Sequence, residues 1–296
     1  MKKNYIYAFA TVFIWSTMNV ISKILITGMP ALELLSAGSL LAFITLLILN
    51  VSQGVFRQDL GYKASDYAKM SGLGFIGLFL YSALYYQGID RLTSQEACII
   101  NYLWPIMVVI FSCILLKERL TIAKIFAMLC SFAGIIILTF GGTADKKPDM
   151  AGVICCLVAA ACYGLFSVLN KQKNYNQQIA MMIIWLTTFV CSTAAGLLTE
   201  TWIMPSAFEI AGFAWMGIIA NAFAYLMWAL ALNGSDDSAV IANIAYLTPF
   251  VSVLLSAVIL HEEIHANAII ALILIVGGIL VQSITSSRHK QPAKKS

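Results

Sequence analysis

Polar residues divide this chain into apolar runs of about 20 residues, the length an α-helix needs to cross a hydrocarbon core about 30 Å thick. The runs fall at about 4–26, 31–53, 67–89, 93–116, 121–140, 150–171, 178–199, 207–232, 237–260 and 265–285. Only a helix or a closed barrel satisfies its own backbone hydrogen bonds in lipid, and runs of this length are helical. The connections are short except near 54–66 and 141–149, so no soluble domain is expected. The pattern predicts an all-α membrane protein with ten transmembrane helices.

Basic residues then orient the spans. With the N-terminus inside, the cytoplasmic segments hold Lys2, Lys3, Arg57, Lys63, Lys69, Lys117, Arg119, Lys124, Lys171, Lys173, Arg288, Lys290, Lys294 and Lys295. The opposite side holds Arg91, Lys146 and Lys147, and Lys23 stays within the first span. Positive charge gathers on the cytoplasmic side of membrane proteins, so both termini are expected there. Met1-Lys2-Lys3 ahead of an apolar run has the look of a signal peptide. No small-x-small cleavage site follows, and Asn19 and Lys23 come before any plausible end, so the segment is expected to be a first, uncleaved span.

The chain also repeats itself. Residues 97–136 align without a gap on 241–280, pairing Tyr102 with Tyr246, Pro105 with Pro249, Glu118 with Glu262 and Gly134 with Gly278. Residues 16–23 match 164–171 in the same way and pair Lys23 with Lys171. Five spans per repeat is an odd number, so the halves must insert with opposite topology, the inverted-repeat design of secondary transporters with a substrate site near the midplane. The expected organisation is an N-terminal repeat over 1–141, a C-terminal repeat over 150–285 and a basic cytoplasmic tail over 286–296.

Composition agrees. The 296 residues are 60% hydrophobic and only 11% charged, with a mean hydropathy of +0.87. A soluble chain carries roughly a quarter charged residues. The net charge of +4 is too small and too dispersed to suggest a nucleic-acid partner. The seven cysteines lie in apolar stretches without metal-ligand spacing, and they read as small packing residues. The expected partners are lipid and a small-molecule substrate, with no cofactor, metal or obligate protein partner.

Ten spans, the repeat and the Pro-to-Lys117-Glu118-Arg119-Leu120 end of the fourth span resemble the drug/metabolite transporter superfamily, in its ten-helix EamA-type branch. Trp15-Ser16-Thr17-Met18 and Asn101-Tyr102-Leu103-Trp104-Pro105 resemble its aromatic amino acid exporters. That resemblance implies a central cavity lined by spans 1, 3, 4, 6, 8 and 9, and export of an aromatic or bulky amino acid or a similar metabolite. One departure stands in the sixth span, where those exporters carry a cavity Trp and this sequence has Cys162 with Tyr163 beside it.

Candidate substrate contacts form stripes at mid-depth, where polar groups tend to face a bundle interior. Trp15, Asn19 and Lys23 share one face of span 1 at i, i+4, i+8. Tyr81 and Tyr85 stripe span 3, and Asn101, Tyr102 and Trp104 cluster in span 4. Tyr163 stands in span 6, with Asn221, Tyr225 and Trp228 in span 8 and Asn243, Tyr246 and Phe250 in span 9. Each residue alone is compatible with helix packing, but convergence on five spans points to a shared wet cavity. Pro105 and Pro249 each remove a backbone donor, which makes them either paired hinges or tolerated kinks. Lys23 either snorkels to the interface or meets a substrate carboxylate. Glu118, Glu262 and the Asp236-Asp237 pair read as acids complementing helix N-termini.

Of 14 acidic residues none lies at mid-span, which argues against a proton-coupled pump for cationic drugs and favours a neutral or zwitterionic substrate. No Gly-rich phosphate loop supports ATP-driven transport, and no polar ring supports a channel. His261-Glu262-Glu263-Ile264-His265 matches the zinc-protease pattern H-E-x-x-H, which leaves an intramembrane protease as a formal alternative. Against it, the motif falls in a short turn, its repeat counterpart is Lys117-Glu118-Arg119-Leu120-Thr121, and the third histidine, His289, lies across the membrane. The function expected is export or facilitated passage of a small organic metabolite by alternating access. The substrate is an aromatic or bulky neutral amino acid, or alternatively a nucleobase or amine.

Overall fold

The computed structural model describes residues 2–57, 61–117, 120–140, 149–171, 175–233 and 244–290. Among them every regular element is helical. The helices, numbered in chain order, begin with α1 (Lys2–Gly28), α2 (Ala31–Ser52), α3 (Ala64–Arg91), α4 (Ser94–Leu115) and α5 (Ile122–Phe140). They continue with α6 (Met150–Lys171), α7 (Gln177–Thr199), α8, α9 and α10 (Ala266–Lys290). The α8 helix runs through Ala207–Ala214, Trp215–Phe223 and Ala224–Asn233, and α9 through Ala245–Leu247 and Thr248–Ile259. Seven of the described helices are long and apolar enough to cross a membrane, and three shorter apolar helices lie at Ile122–Leu138, Ala245–Ile259 and Ala266–Val281.

Four helices are irregular, and two of the irregularities have a cause in the sequence. The α4 helix breaks between Asn101 and Trp104, just before Pro105, and α9 tightens into a 3₁₀ turn over Ala245–Leu247, just before Pro249. Proline lacks the donor that would close the turn onto the carbonyl four residues back, so Asn101 and Ala245 lose their helical partners. The α3 and α8 helices widen into π segments over Phe75–Leu80 and Trp215–Phe223. The sequence offered no signal for these.

The two stretches on either side of the 141–148 connection interleave. The α1 helix packs on α8 and α9, α2 on α7 and α8, α3 on α6 and α7, α4 on α6, and α5 on α10. At the α5–α10 seam the glycines paired in the sequence face the opposite helix reciprocally. A Cβ on Gly134 would lie 2.9 Å from Ile275, and one on Gly278 would lie 2.9 Å from Cys130. Small residues let backbones approach where lipid supplies no hydrophobic force between helices. All ten helices contribute buried residues to the core, while Phe9 and Phe13 of α1, Ile44 and Ile48 of α2, and Leu129, Phe132 and Ile136 of α5 are exposed. Such a belt exceeds what a water-facing surface carries, and lipid is its natural solvent.

Acids and one lysine close the bundle at the end where α1 meets α2. Glu200, following α7, accepts from Leu32 N at 3.0 Å and Glu33 N at 3.3 Å, capping α2, whose own N-cap is the side-chain-less acceptor Pro30. Glu33 in turn accepts from Ile203 N at 3.0 Å. Glu262 accepts from Ser94 N at 2.7 Å and Gln95 N at 3.1 Å. It therefore neutralises a helix N-terminus as its sequence position suggested, but that of α4 rather than the α10 it precedes. Glu118, Asp236, Asp237 and Asn243 lie outside the described residues.

Lys23 is absent from the described cavity wall and reaches instead to the end of α3. Its Nζ donates to the carbonyls of Ile89 at 2.5 Å, Leu92 at 2.8 Å and Asp90 at 3.3 Å, closing the C-terminus of α3. Three donors meet three carbonyls at the negative end of a helix dipole. Residues 261–265 form a turn, with His261 at φ 55°, so His261 and His265 do not share a helical face and the Glu262 carboxylate is committed to α4.

Candidate functional site

A cavity of about 160 Å³, open on one side to the exterior, lies between the helices. Its wall brings together Trp15 and Asn19 of α1, Tyr81 and Tyr85 of α3, and Asn101, Tyr102 and Trp104 of α4. Tyr163 of α6 and Asn221 and Tyr225 of α8 complete the aromatic and amide side chains expected there. Lys, Arg, Asp, Glu and His are all missing from the described lining.

The aromatic rings form a continuous wall around Tyr163. Its ring packs 4.9 Å from Tyr81 and 5.3 Å, edge to face, from Trp104, and its hydroxyl meets that of Tyr225 at 3.5 Å. Tyr225 in turn packs edge-on at 5.3 Å against Trp15. Edge-to-face and tilted contacts of this kind suit the quadrupoles of the rings, and they leave faces free for a ligand. Tyr163 is the aromatic side chain that α6 brings to the cavity, and its neighbour Cys162 is not part of the described wall.

Hydrogen bonds fix the polar side chains. Tyr85 donates its hydroxyl to Asn19 Oδ1, and Asn19 Nδ2 donates to Ser252 Oγ at 2.6 Å, so one amide joins α1, α3 and α9. Trp15 Nε1 donates to the Ala220 carbonyl at 3.3 Å, inside the π segment of α8. Trp215 Nε1 donates to Thr17 at 2.9 Å along the same seam. Tyr102 donates to the Ala245 carbonyl at 3.4 Å. Pro249 denies that carbonyl its α-helical donor, leaving it to Thr248 N–H in the 3₁₀ turn and to Tyr102, so the break in α9 is tied to the break in α4. Asn101 Nδ2 donates to the Tyr81 hydroxyl at 3.2 Å.

Two expected residues are placed elsewhere. Trp228 packs behind Trp15 at 5.5 Å, against Ala8, Val12 and Ala231, and Tyr246 packs onto the main core from the 3₁₀ turn. Of the expected stripe on span 9, the described members are absent from the cavity wall. Phe250 is exposed, and α9 instead presents Ala245 and Thr248 to the cavity. Helical spacing was applied there across a 3₁₀ turn, which rotates the face.

The wall also contains residues that sequence reasoning passed over: Leu35 of α2, Leu78, Ser82 and Tyr86 of α3, and Trp185 of α7. Spans 2 and 7 thus join the six expected. Trp185 carried a usable signal, because tryptophan concentrates at membrane interfaces and one at mid-span is out of place.

An all-helical bundle with an apolar exterior and an uncharged aromatic cavity at its centre has the plan of a membrane transporter. The chain belongs to the EamA-like transporter family, whose family model matches residues 2–140 and 150–284. It is 26% identical over 293 residues to the uncharacterized transporter YoaV of Bacillus subtilis, covering 94% of this chain and 95% of that one. It is 27% identical over 226 residues to the aromatic amino acid exporter YddG of Ancylobacter novellus, covering 73% of this chain and 76% of that one. A crystal structure 22% identical in sequence superposes with a TM-score of 0.69 over 98% of this chain and 100% of the other, and shares the fold.

Proposed function

We propose that this transporter exports, or facilitates passage of, an aromatic or bulky neutral amino acid by alternating access, as a secondary carrier of the bacterial inner membrane. The observation that carries the reading is the cavity wall itself, built of aromatic rings and side-chain amides with no charged side chain among the described residues. A zwitterion brings no net charge that would need a counter-ion in a low-dielectric site, while its apolar body gains contact with Trp15, Trp104, Tyr81 and Tyr163. The name of the Ancylobacter relative points the same way.

The architecture belongs to the same proposal: ten spans in two inverted halves, both termini cytoplasmic, with the substrate between the halves. In support, proline-linked breaks recur in α4 and α9 and π segments recur in α3 and α8. The offset of 144 that aligns the halves sets Asn101 on Ala245 and Trp104 on Thr248, and all four line the cavity. Pro105 and Pro249 then serve as hinges, with the Tyr102–Ala245 bond coupling their movements. The end sealed by Lys23, Glu200 and Glu262 is the outer face.

Uptake and counterflow in proteoliposomes, run against a panel of amino acids, amines and nucleobases with and without a pH gradient, test this. Phenylalanine, tryptophan or a bulky aliphatic amino acid should exchange fastest. The rate should stay flat between about pH 6 and 8, because no lining side chain titrates there and ordinary tyrosines ionise near pH 10. Transport confined to cationic amines, or strictly dependent on a proton gradient, contradicts the proposal.

A further inference from the structure

Asn101 and Trp185 each bring to the cavity wall a buried polar atom that has no partner within the protein. Asn101 commits its amide N–H to the Tyr81 hydroxyl at 3.2 Å, and its Oδ1 accepts nothing. Trp185, reaching in from α7, is 3% exposed, and its indole Nε1 donates to nothing; Asn101 is 9% exposed. Both line the cavity, where Tyr81 packs against the core that contains Trp185 and bonds Asn101 directly. An unsatisfied buried polar atom is a standing cost to the fold, and the surrounding bilayer offers no water to relieve it. One of these atoms is an acceptor and the other a donor. Thr248 Oγ1 on the same wall is likewise unpartnered, but as a hydroxyl it can donate or accept, whereas Asn101 Oδ1 can only accept and the Trp185 indole can only donate. With no charged side chain in the described wall, these two fix which end of a ligand goes where.

We infer that Trp185 and Asn101 form a donor–acceptor pair that addresses the polar end of the substrate. The indole N–H of Trp185 donates to a carboxylate or carbonyl oxygen, and Asn101 Oδ1 accepts from an ammonium or amide N–H. The apolar body then lies against Tyr81, Tyr163 and Trp104. Trp185 is thus a specificity-determining residue, and the ligand must carry both an acceptor and a donor. For amino acids the inference rests on the function proposed above, but the same pair would hold a neutral lactam or nucleobase.

Ligand affinities of the purified full-length protein, followed by thermal stabilisation, test the pair. The ligands are phenylalanine, phenethylamine, 3-phenylpropionate, uracil and thymine. The deciding variants are Asn101→Leu, Trp185→Phe, and the protein with 3-benzothienylalanine at position 185, an isostere with sulfur in place of the indole N–H. Loss of one hydrogen bond to a charged group should weaken phenylalanine about tenfold in each variant. The isostere at 185 should leave phenethylamine, which lacks the carboxylate, unchanged, and Asn101→Leu should leave 3-phenylpropionate, which lacks the amine, unchanged. Unaltered affinity for phenylalanine in the isostere, as expected if a water satisfies the indole, overturns the pair. So does uniform weakening of every ligand, the sign of a packing role. If the wild type binds no amino acid but binds a nucleobase that all variants weaken about tenfold, the amino acid reading fails and the pair stands. Binding of no ligand in the panel overturns both.

Discussion

Asn19 and Lys23 stand four residues apart on one helix face and do different work. The Asn19 amide is engaged at both ends, taking the Tyr85 hydroxyl on its oxygen and giving an N–H to Ser252. Removing it strands two hydroxyls at once in the bundle interior. Asn19→Leu should therefore cost about 1–2 kcal/mol of stability in detergent unfolding, more than the mean interhelical bond in membranes. A double-mutant cycle with Tyr85→Phe should be strongly non-additive, and additivity would mean that the two side chains act separately. Lys23 is a structural cap on α3 rather than a ligand for substrate. Lys23→Met should lower stability by about 2 kcal/mol while leaving substrate affinity unchanged, and binding assays on the folded variant check the second half. The i, i+4, i+8 stripe placed both residues on the inner face from sequence alone. Which partner each would find was not legible, because Ser252 and the end of α3 lie 233 and 66 or more residues away along the chain. Trp228 shows the same limit. Its spacing matched Tyr225, but Trp15 stands between it and the cavity.

Helices in this fold are recognisable by length and their breaks by proline, so α4 and the 3₁₀ turn of α9 follow from Pro105 and Pro249. The π segments do not follow from anything in their composition. Their effect is visible only in packing, where Trp15 reaches the carbonyl of Ala220 inside one of them. Glycine periodicity was more informative. The pairing of Gly134 with Gly278 in the repeat anticipated a reciprocal close approach, and α5 and α10 do meet there, each glycine within 3 Å or so of the facing helix once a Cβ is added. Gly134→Leu must displace Ile275 or the helix itself, and overpacking of this kind costs about 1–3 kcal/mol. Reduced thermal stability with unaltered ligand affinity is the expected result, since this seam contributes nothing to the described cavity wall.

Across the whole molecule, the uncharged interior explains more than any single residue. A chain of this composition can hold its polar groups only at its ends or within its interior, and those of the described cavity wall are amides, hydroxyls and indoles rather than acids. The ends carry the charges: Lys23, Glu200 and Glu262 each satisfy the backbone of a helix terminus, and Glu33 that of Ile203 in the segment between α7 and α8. The motif that looked enzymatic belongs to this set, because Glu262 caps α4 from a turn that cannot present two histidines on one helix face. What remains for function is the aromatic–amide cavity. The most direct test is substrate exchange in proteoliposomes by an Asn101→Ala/Trp104→Ala double variant, at matched amounts of folded protein. Exchange should fall at least about tenfold, the loss expected when one charge-assisted hydrogen bond and one aromatic contact are removed together. Exchange at the wild-type rate would show that the substrate does not pass through this cavity.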